Sequence, residues 1–181
     1  MILYEYPKSV SLKDESQVTV RPLRKEDERA LHEYFLKLPL GDRIRLKDDV
    51  TDAKVIGNWI LDLDYDVILP LLALDRDRVV ANATLHFNPI GWTKHQAEVR
   101  ITSDPEYRGK GLATLLIENL IDIAIDLGLE QLTAEIAPVP DRALSLFEKL
   151  GFRKVGLLKG FVKDMEGNSA DLVLMVRDIR W

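Results

Sequence analysis

Two hydrophobic periods alternate along the chain and divide it into strands and helices before composition is considered. Gln17-Val18-Thr19-Val20-Arg21 alternates polar and apolar positions, which predicts a first strand stopped by Pro22. Residues 1–16 show weak periodicity and mixed charge, so they read as an irregular N-terminal extension to a single domain over 17–181. Glu26-Asp27-Glu28 opens a helix, because acids favour the positive end of a helix dipole. Leu31, Tyr34, Phe35 and Leu38 follow at helical spacing, and Pro39 and Gly41 end the segment. A second helix is expected from about Asp48, with Ala53, Ile56, Ile60 and Leu61 on one face.

The period then shortens. Residues 67–74 and 79–87 are strand-like runs joined by Asp75-Arg76-Asp77-Arg78, a short polar link that predicts an antiparallel hairpin. Pro70 inside the first run favours an edge position or a bulge. Gln96 to Ile101 alternates again, with Glu98 and Arg100 on one face and Val99 and Ile101 on the other. From Leu112 the period lengthens. Leu112, Leu115, Leu116, Leu120, Ile123 and Leu127 make an apolar stripe, while Thr114, Glu118, Asp122 and Asp126 form one narrow polar line. That pattern suits a helix lying on a sheet, capped by Gly128.

Leu132 to Ile136 reads as the next strand, so this part of the chain is strand, glycine turn, helix, strand. Such a unit requires a right-handed crossover and sets its two strands parallel. Asp141 is placed to cap a short helix carrying Ala143, Leu146, Phe147 and Leu150, closed by Gly151. A last hairpin turns at Glu166-Gly167-Asn168. The fold class expected from this order is mixed α+β.

Composition narrows the function classes. With 46% hydrophobic and 30% charged residues, the chain has the balance of a soluble globular protein. Cysteine is absent, which removes disulfides, thiolate metal sites and cysteine nucleophiles, and suits a reducing cytoplasm. The N-terminal residues carry no readable signal peptide, and apolar stretches stop short of the ~20 residues of a membrane helix. A formal net charge of -5 argues against a nucleic-acid surface. Acids cluster at Asp42, Asp48, Asp49, Asp52, Asp62, Asp64 and Asp66, either as a solvated face or to steer a cationic amine. No cluster has metal-ligand spacing.

The turn Arg108-Gly109-Lys110-Gly111-Leu112-Ala113 carries the clearest chemistry. A strand feeding a helix through two glycines leaves the first helical N–H groups unpaired and reachable. Arg108 and Lys110 add positive charge on the same turn, so a pyrophosphate fits it. The triphosphate loop pattern G-x-x-x-x-G-K followed by Ser or Thr does not occur. The dinucleotide pattern G-x-G-x-x-G fails at Thr114.

Arg108-x-x-Gly111-x-Ala113 resembles the Gln/Arg-x-x-Gly-x-Gly/Ala signature of the GNAT family of N-acetyltransferases. Leu146-Phe147-Glu148-Lys149-Leu150-Gly151-Phe152 resembles that family's later Leu-Tyr-Glu-Lys-Leu-Gly-Phe segment, and the likeness covers about residues 17–178. The resemblance implies the acyl-CoA N-acyltransferase fold: a central, mostly antiparallel twisted sheet with a parallel splayed strand pair and helices on both faces. It implies acetyl-CoA as donor co-substrate, no metal, and an amine-bearing acceptor, either a small molecule or a protein lysine. It also implies a monomer or homodimer.

Carried over by residue, the resemblance lays the pantetheine arm along Ile101, Thr102 and Ser103. It sets the pyrophosphate on backbone amides of Arg108, Gly109, Lys110, Gly111, Leu112 and Ala113. Glu98, ten residues before Arg108, stands near the position of a family glutamate base, and its other reading is a solvent-facing strand glutamate. If it is buried near the splay, desolvation is expected to raise its pKa. The oxyanion would meet a strand amide near Val99 or Ile101. Two departures stand out: Phe147 replaces a tyrosine that protonates the leaving thiolate, and Pro140 replaces a cofactor-contacting asparagine. His86 and His95 are further titrating candidates. Three functions therefore stay open: an N-acetyltransferase, a non-catalytic acyl-CoA sensor, and a transferase of a longer acyl group.

Overall fold

The computed structural model describes residues 2–137 and 142–180. Among these residues, eight strands form one sheet: β1 Lys8–Ser11, β2 Gln17–Pro22, β3 Ile68–Asp75, β4 Arg78–Phe87, β5 Gln96–Ser103, β6 Gln131–Ile136, β7 Arg153–Lys163 and β8 Ser169–Asp178. Their order is β1-β2-β3-β4-β5-β6-β8-β7. All neighbours are antiparallel except β5 and β6, which the crossover through α4 (Leu112–Asp126) makes parallel. The other helices are α1 Glu28–Lys37, the single turn α2 Leu40–Arg43, α3 Ala53–Leu61 and α5 Arg142–Lys149. No helix among the described residues is long and apolar enough to cross a membrane.

The two faces of the sheet differ. On one, α4 buries Leu112, Leu116, Leu120 and Ile123 against Leu71, Ala83, Leu85, Val99 and Leu132. On the other, Leu31 and Phe35 of α1 and Ile56 and Ile60 of α3 cover Leu72, Leu74 and Val79. Each fully buried Leu or Ile contributes roughly 1.5–3 kcal/mol, so these stripes fix which face each helix takes. Farther along this second face the sheet turns polar. The cross-strand pairs Asn82↔Thr102, Thr84↔Arg100 and His86↔Glu98 lie side by side on β4 and β5. Period-2 alternation places all six on the face opposite Ala97 and Val99.

Several expectations change. Residues 8–11 are not irregular: they pair with β2 as the edge strand β1, a register too short to show as alternation. Pro70 is neither on an edge nor in a bulge, since β3 lies between β2 and β4 and the irregularity falls at Ala73/Leu74. Its carbonyl accepts from Leu23 N–H where β2 ends, and the Leu23 carbonyl, which a proline cannot serve, takes the Tyr65 hydroxyl instead. The helix expected from Asp48 begins at Ala53, with Asp52 accepting from Lys54 N–H as its cap. Asp49 accepts from Thr51 N–H and its hydroxyl, a local bond that competes with helix. Leu61, assigned to the buried face, is exposed. Pro39 and Gly41 do end the first helix, which stops at Lys37, but the chain turns at once into α2, with Pro39 as its N-cap. The cap expected of Asp141 lies outside the described residues.

Candidate acceptor cleft and anion turn

The glycine turn is built as its sequence suggests. Gly109 and Gly111 have φ of 75° and 87°, a region that side chains with a Cβ adopt only with strain. Gly111 is the N-cap of α4 and offers no side-chain cap, so the amides of the first helical turn are free to meet an anion. Just upstream, Asp104 accepts from Glu106 N–H, and Tyr107 is buried with its hydroxyl donating to Asp75 at 2.7 Å. These contacts fix the entry to the turn.

The turn's charges are less available than the sequence suggests. Lys110 Nζ pairs with Asp14 at 2.8 Å, and Arg108 reaches Asp42 of α2 at 2.5 Å and the Ser103 carbonyl at 3.3 Å. The principal anion donors left at the turn are therefore main-chain N–H groups. Lys13 supplies a cation that sequence reasoning missed. Its N–H donates to the Lys110 carbonyl, and its stem crosses Gly111 so closely that a Cβ there would lie 3.3 Å from Lys13 Cε. No motif marks Lys13; the hairpin of β1 and β2 brings it there.

Upstream of the turn the two parallel strands part. β5 and β6 pair at Gln96↔Gln131, Ala97↔Leu132 and Glu98↔Thr133, yet β5 continues to Ser103 and β6 to Ile136. Ile101, Thr102 and Ser103 thus lie on the splayed part of β5. Their main chain faces β4 on one side and a gap on the other, where an extended chain can add as a strand does. Leu112 is buried in the α4 core, so it can offer an anion only its amide. Ala113 is half-buried behind it.

Over the polar floor lies a cavity of about 680 Å³. Its walls include Phe35, Leu46, Trp59, Phe147 and Leu172, and its polar side includes Asn82, Thr84, His86, Glu98, Arg100 and Glu135. Tyr34 of α1 donates to Thr102 Oγ1 at 2.9 Å, which pins α1 to the splayed strand. Asn82 is buried, and its Oδ1 has no hydrogen-bond partner, so the floor keeps an open acceptor. Of the acidic cluster, Asp48 and Asp62 line this cavity, while Asp42 is spent on Arg108.

Glu98 is at the splay, on the last paired position, but its electrostatics reverse the expectation. Burial alone would push its carboxyl up. The hydrogen bonds from Arg100 at 2.8 Å and Lys47 at 2.6 Å outweigh that and hold it below the usual glutamate range. His86, directly across the ladder, bonds Thr84 Oγ1 through Nε2 at 2.8 Å. Burial, aided by the Arg100 charge, pushes its pKa down to about 4, so it is a neutral imidazole at pH 7. The carbonyl of His95 accepts from Glu130 and Gln131 N–H at the start of β6, away from the cavity lining. Phe147 is buried and stacks edge-on against Phe152 at 4.9 Å, without a proton to give. Pro140 lies outside the described residues.

The least legible members of the cleft are Lys47 and Glu135. Lys47 Nζ lies 2.6 Å from Glu98 Oε1 and 2.6 Å from Glu135 Oε2. Glu135 was readable in part, since alternation along β6 puts it on the face opposite Leu132 and Ala134. Only the parallel register tells that this face is also that of Glu98. Lys47 comes from the irregular stretch between α2 and α3, where no period exists to read.

A family model described as "Acetyltransferase (GNAT) family" matches residues 28–152. Acetyltransferase PA5475 of Pseudomonas aeruginosa is 27% identical over 125 residues, 67% of this chain and 67% of that protein. The N-alpha-acetyltransferase of Saccharolobus solfataricus is 39% identical over 75 residues, 41% of this chain and 42% of that protein. These matches span from under half to two thirds of the relatives' own length. Among solved structures, the GNAT domain of S. lividans PAT superposes with a TM-score of 0.78, covering 94% of this chain and 96% of that one. At 20% identity, that likeness speaks for the fold.

Proposed function

Because the chain belongs to the Acetyltransferase (GNAT) family, we propose that it transfers an acetyl group from acetyl-CoA to a primary amine by direct attack on the thioester. One observation carries the reading: β5 leaves β6 after Glu98↔Thr133 and leads, past Ser103 and a short turn, into a helix whose glycine N-terminus can hold an anion. In this reading the pyrophosphate rests on amides from Arg108 to Ala113, with Lys13 beside them. The pantetheine arm adds to Ile101, Thr102 and Ser103, which brings the thioester toward Glu98. Acetyl-CoA is a substrate here, and the chain's own residues bind it, orient it and move protons.

An ammonium has no lone pair, so a proton must leave the acceptor before attack. Glu98 takes that role in the proposal. With its carboxyl held acidic by Arg100 and Lys47, it passes the proton on to water rather than storing it. The oxyanion meets a strand amide near Val99 or Ile101. Phe147 cannot protonate the thiolate, which then takes its proton from water. The acceptor is a small amine or a protein amine, and the α-amine in the name of the S. solfataricus relative adds N-terminal amines to lysine.

Phe147 also motivates a second reading, an acyl-CoA sensor that binds without turnover. Both readings need the glycine turn. Gly111→Val places a β-branched residue at φ 87° and a Cβ against Lys13, at a strain of roughly 1–2 kcal/mol. Calorimetric titration with acetyl-CoA should show affinity falling by about tenfold or more, with circular dichroism unchanged. Equal affinity in the variant would remove the turn from the site.

A further inference from the structure

Lys47 occupies the position that an acceptor would need. Glu98 is the last residue of β5 paired to β6, and Glu135 lies two residues beyond the last paired position of β6. Period-2 alternation puts both carboxylates on the cavity face, one on each arm of the splay. Lys47 Nζ bridges them at 2.6 Å each, directly over the notch where the strands part. The backbone behind it is neither helix nor strand from 44 to 52; turn bonds such as Leu46 N–H to the Arg43 carbonyl hold it, and Met165 N–H to the Ile44 carbonyl ties it to the last hairpin.

We propose that Lys47 is an acceptor built into the chain, and that the protein acetylates Lys47 Nζ from acetyl-CoA. The inference rests on the donor reading given above. A tethered amine at the splay reacts as if at very high concentration, since its translational freedom is already spent. The step balances as follows. Lys47 gives one proton through Glu98 to water, and its nitrogen lone pair then attacks the acetyl carbonyl. The N–C bond forms and the C–S bond breaks as the tetrahedral intermediate collapses. The second nitrogen proton passes to water, and the thiolate takes one from water to depart as coenzyme A thiol, so one proton is released overall. Acetylation also removes the positive charge between Glu98 and Glu135, which leaves two carboxylates facing the cavity with Arg100 on one of them. The modified cleft therefore favours a cationic acceptor more than the unmodified one does.

The test incubates the full chain with acetyl-CoA and no added amine, then maps acetylated lysines by peptide mass spectrometry. Calorimetry on the same preparation measures acetyl-CoA binding separately. Lys47 should gain one acetyl group at a rate independent of protein concentration and faster than Lys54, an exposed lysine absent from the cavity lining. Glu98→Gln should slow the Lys47 reaction on the order of a hundredfold while binding persists. If acetyl-CoA binds but Lys47 reacts no faster than Lys54, this inference is overturned and the donor reading stands. If acetyl-CoA does not bind, both fall together.

Discussion

At the scale of single residues, the cleft shows how neighbours set a group's chemistry. Glu98 is half-buried, which by itself would make it a better base, but two cations within 2.8 Å reverse the direction. Its pKa is depressed, so it stays ionised above the ordinary glutamate value of about 4.3 and carries no titration between pH 5 and 8. The acid limb of kcat/KM should then come from the acceptor's own ammonium. Exchanging the acceptor for a primary amine of lower pKa should move that limb down in step. A limb fixed near pH 6–7 for every amine would instead assign it to a group on the protein. Glu98 itself was legible from its place ten residues before Arg108. Arg100 was legible on the same face of the strand, but Lys47 was not, because it arrives from a loop 51 residues away.

Elements carry a different kind of information. The α4 stripe and the glycine turn were legible because helix period, cap and open amides lie within one continuous segment. Pro70 misled because the rule concerns a missing N–H, and here that vacancy faces Leu23 at the end of β2, whose carbonyl takes the Tyr65 hydroxyl instead. The start of α1 shows a device invisible in the sequence. Asp27 accepts a two-pronged pair from Arg21 of β2, at 2.6 and 2.7 Å, and also the Arg24 N–H at 2.8 Å. Burial raises the Asp27 carboxyl, yet Arg21 and the Arg24 amide bring it below the usual range. A depressed carboxylate stabilises the fold above its unfolded pKa of about 3.9 and loses that contribution as pH falls through the folded value. Asp27→Asn should cost about 3 kcal/mol at pH 7 and flatten the acid side of the stability curve. Urea melts from pH 7 to pH 3 would show it, and parallel curves for both proteins would contradict the pairing.

For the whole molecule, topology accounts for what the sequence left open. A parallel pair inside an antiparallel sheet was readable from the crossover, and its early parting is where the cleft forms. The resemblance implied that splay, but local pattern alone could not locate its last rung at Glu98↔Thr133. Residues 2–16 were unreadable as structure because β1 has four residues and its meaning lies in what it touches: β2 along its length, and the glycine turn through Lys13 and Asp14. The cavity joins residues from α1, α3, α5, the stretch before α3, four strands and the last hairpin, and this is why its shape escaped any single segment. The central claim is that this arrangement moves an acetyl group from coenzyme A to an amine. Its most direct test is thiol release from acetyl-CoA by the full chain, followed across a panel of primary amines and protein substrates. The account predicts release that depends on the amine and matches acetylated product one to one. Tight acetyl-CoA binding with no release on any amine would contradict it and leave a sensor.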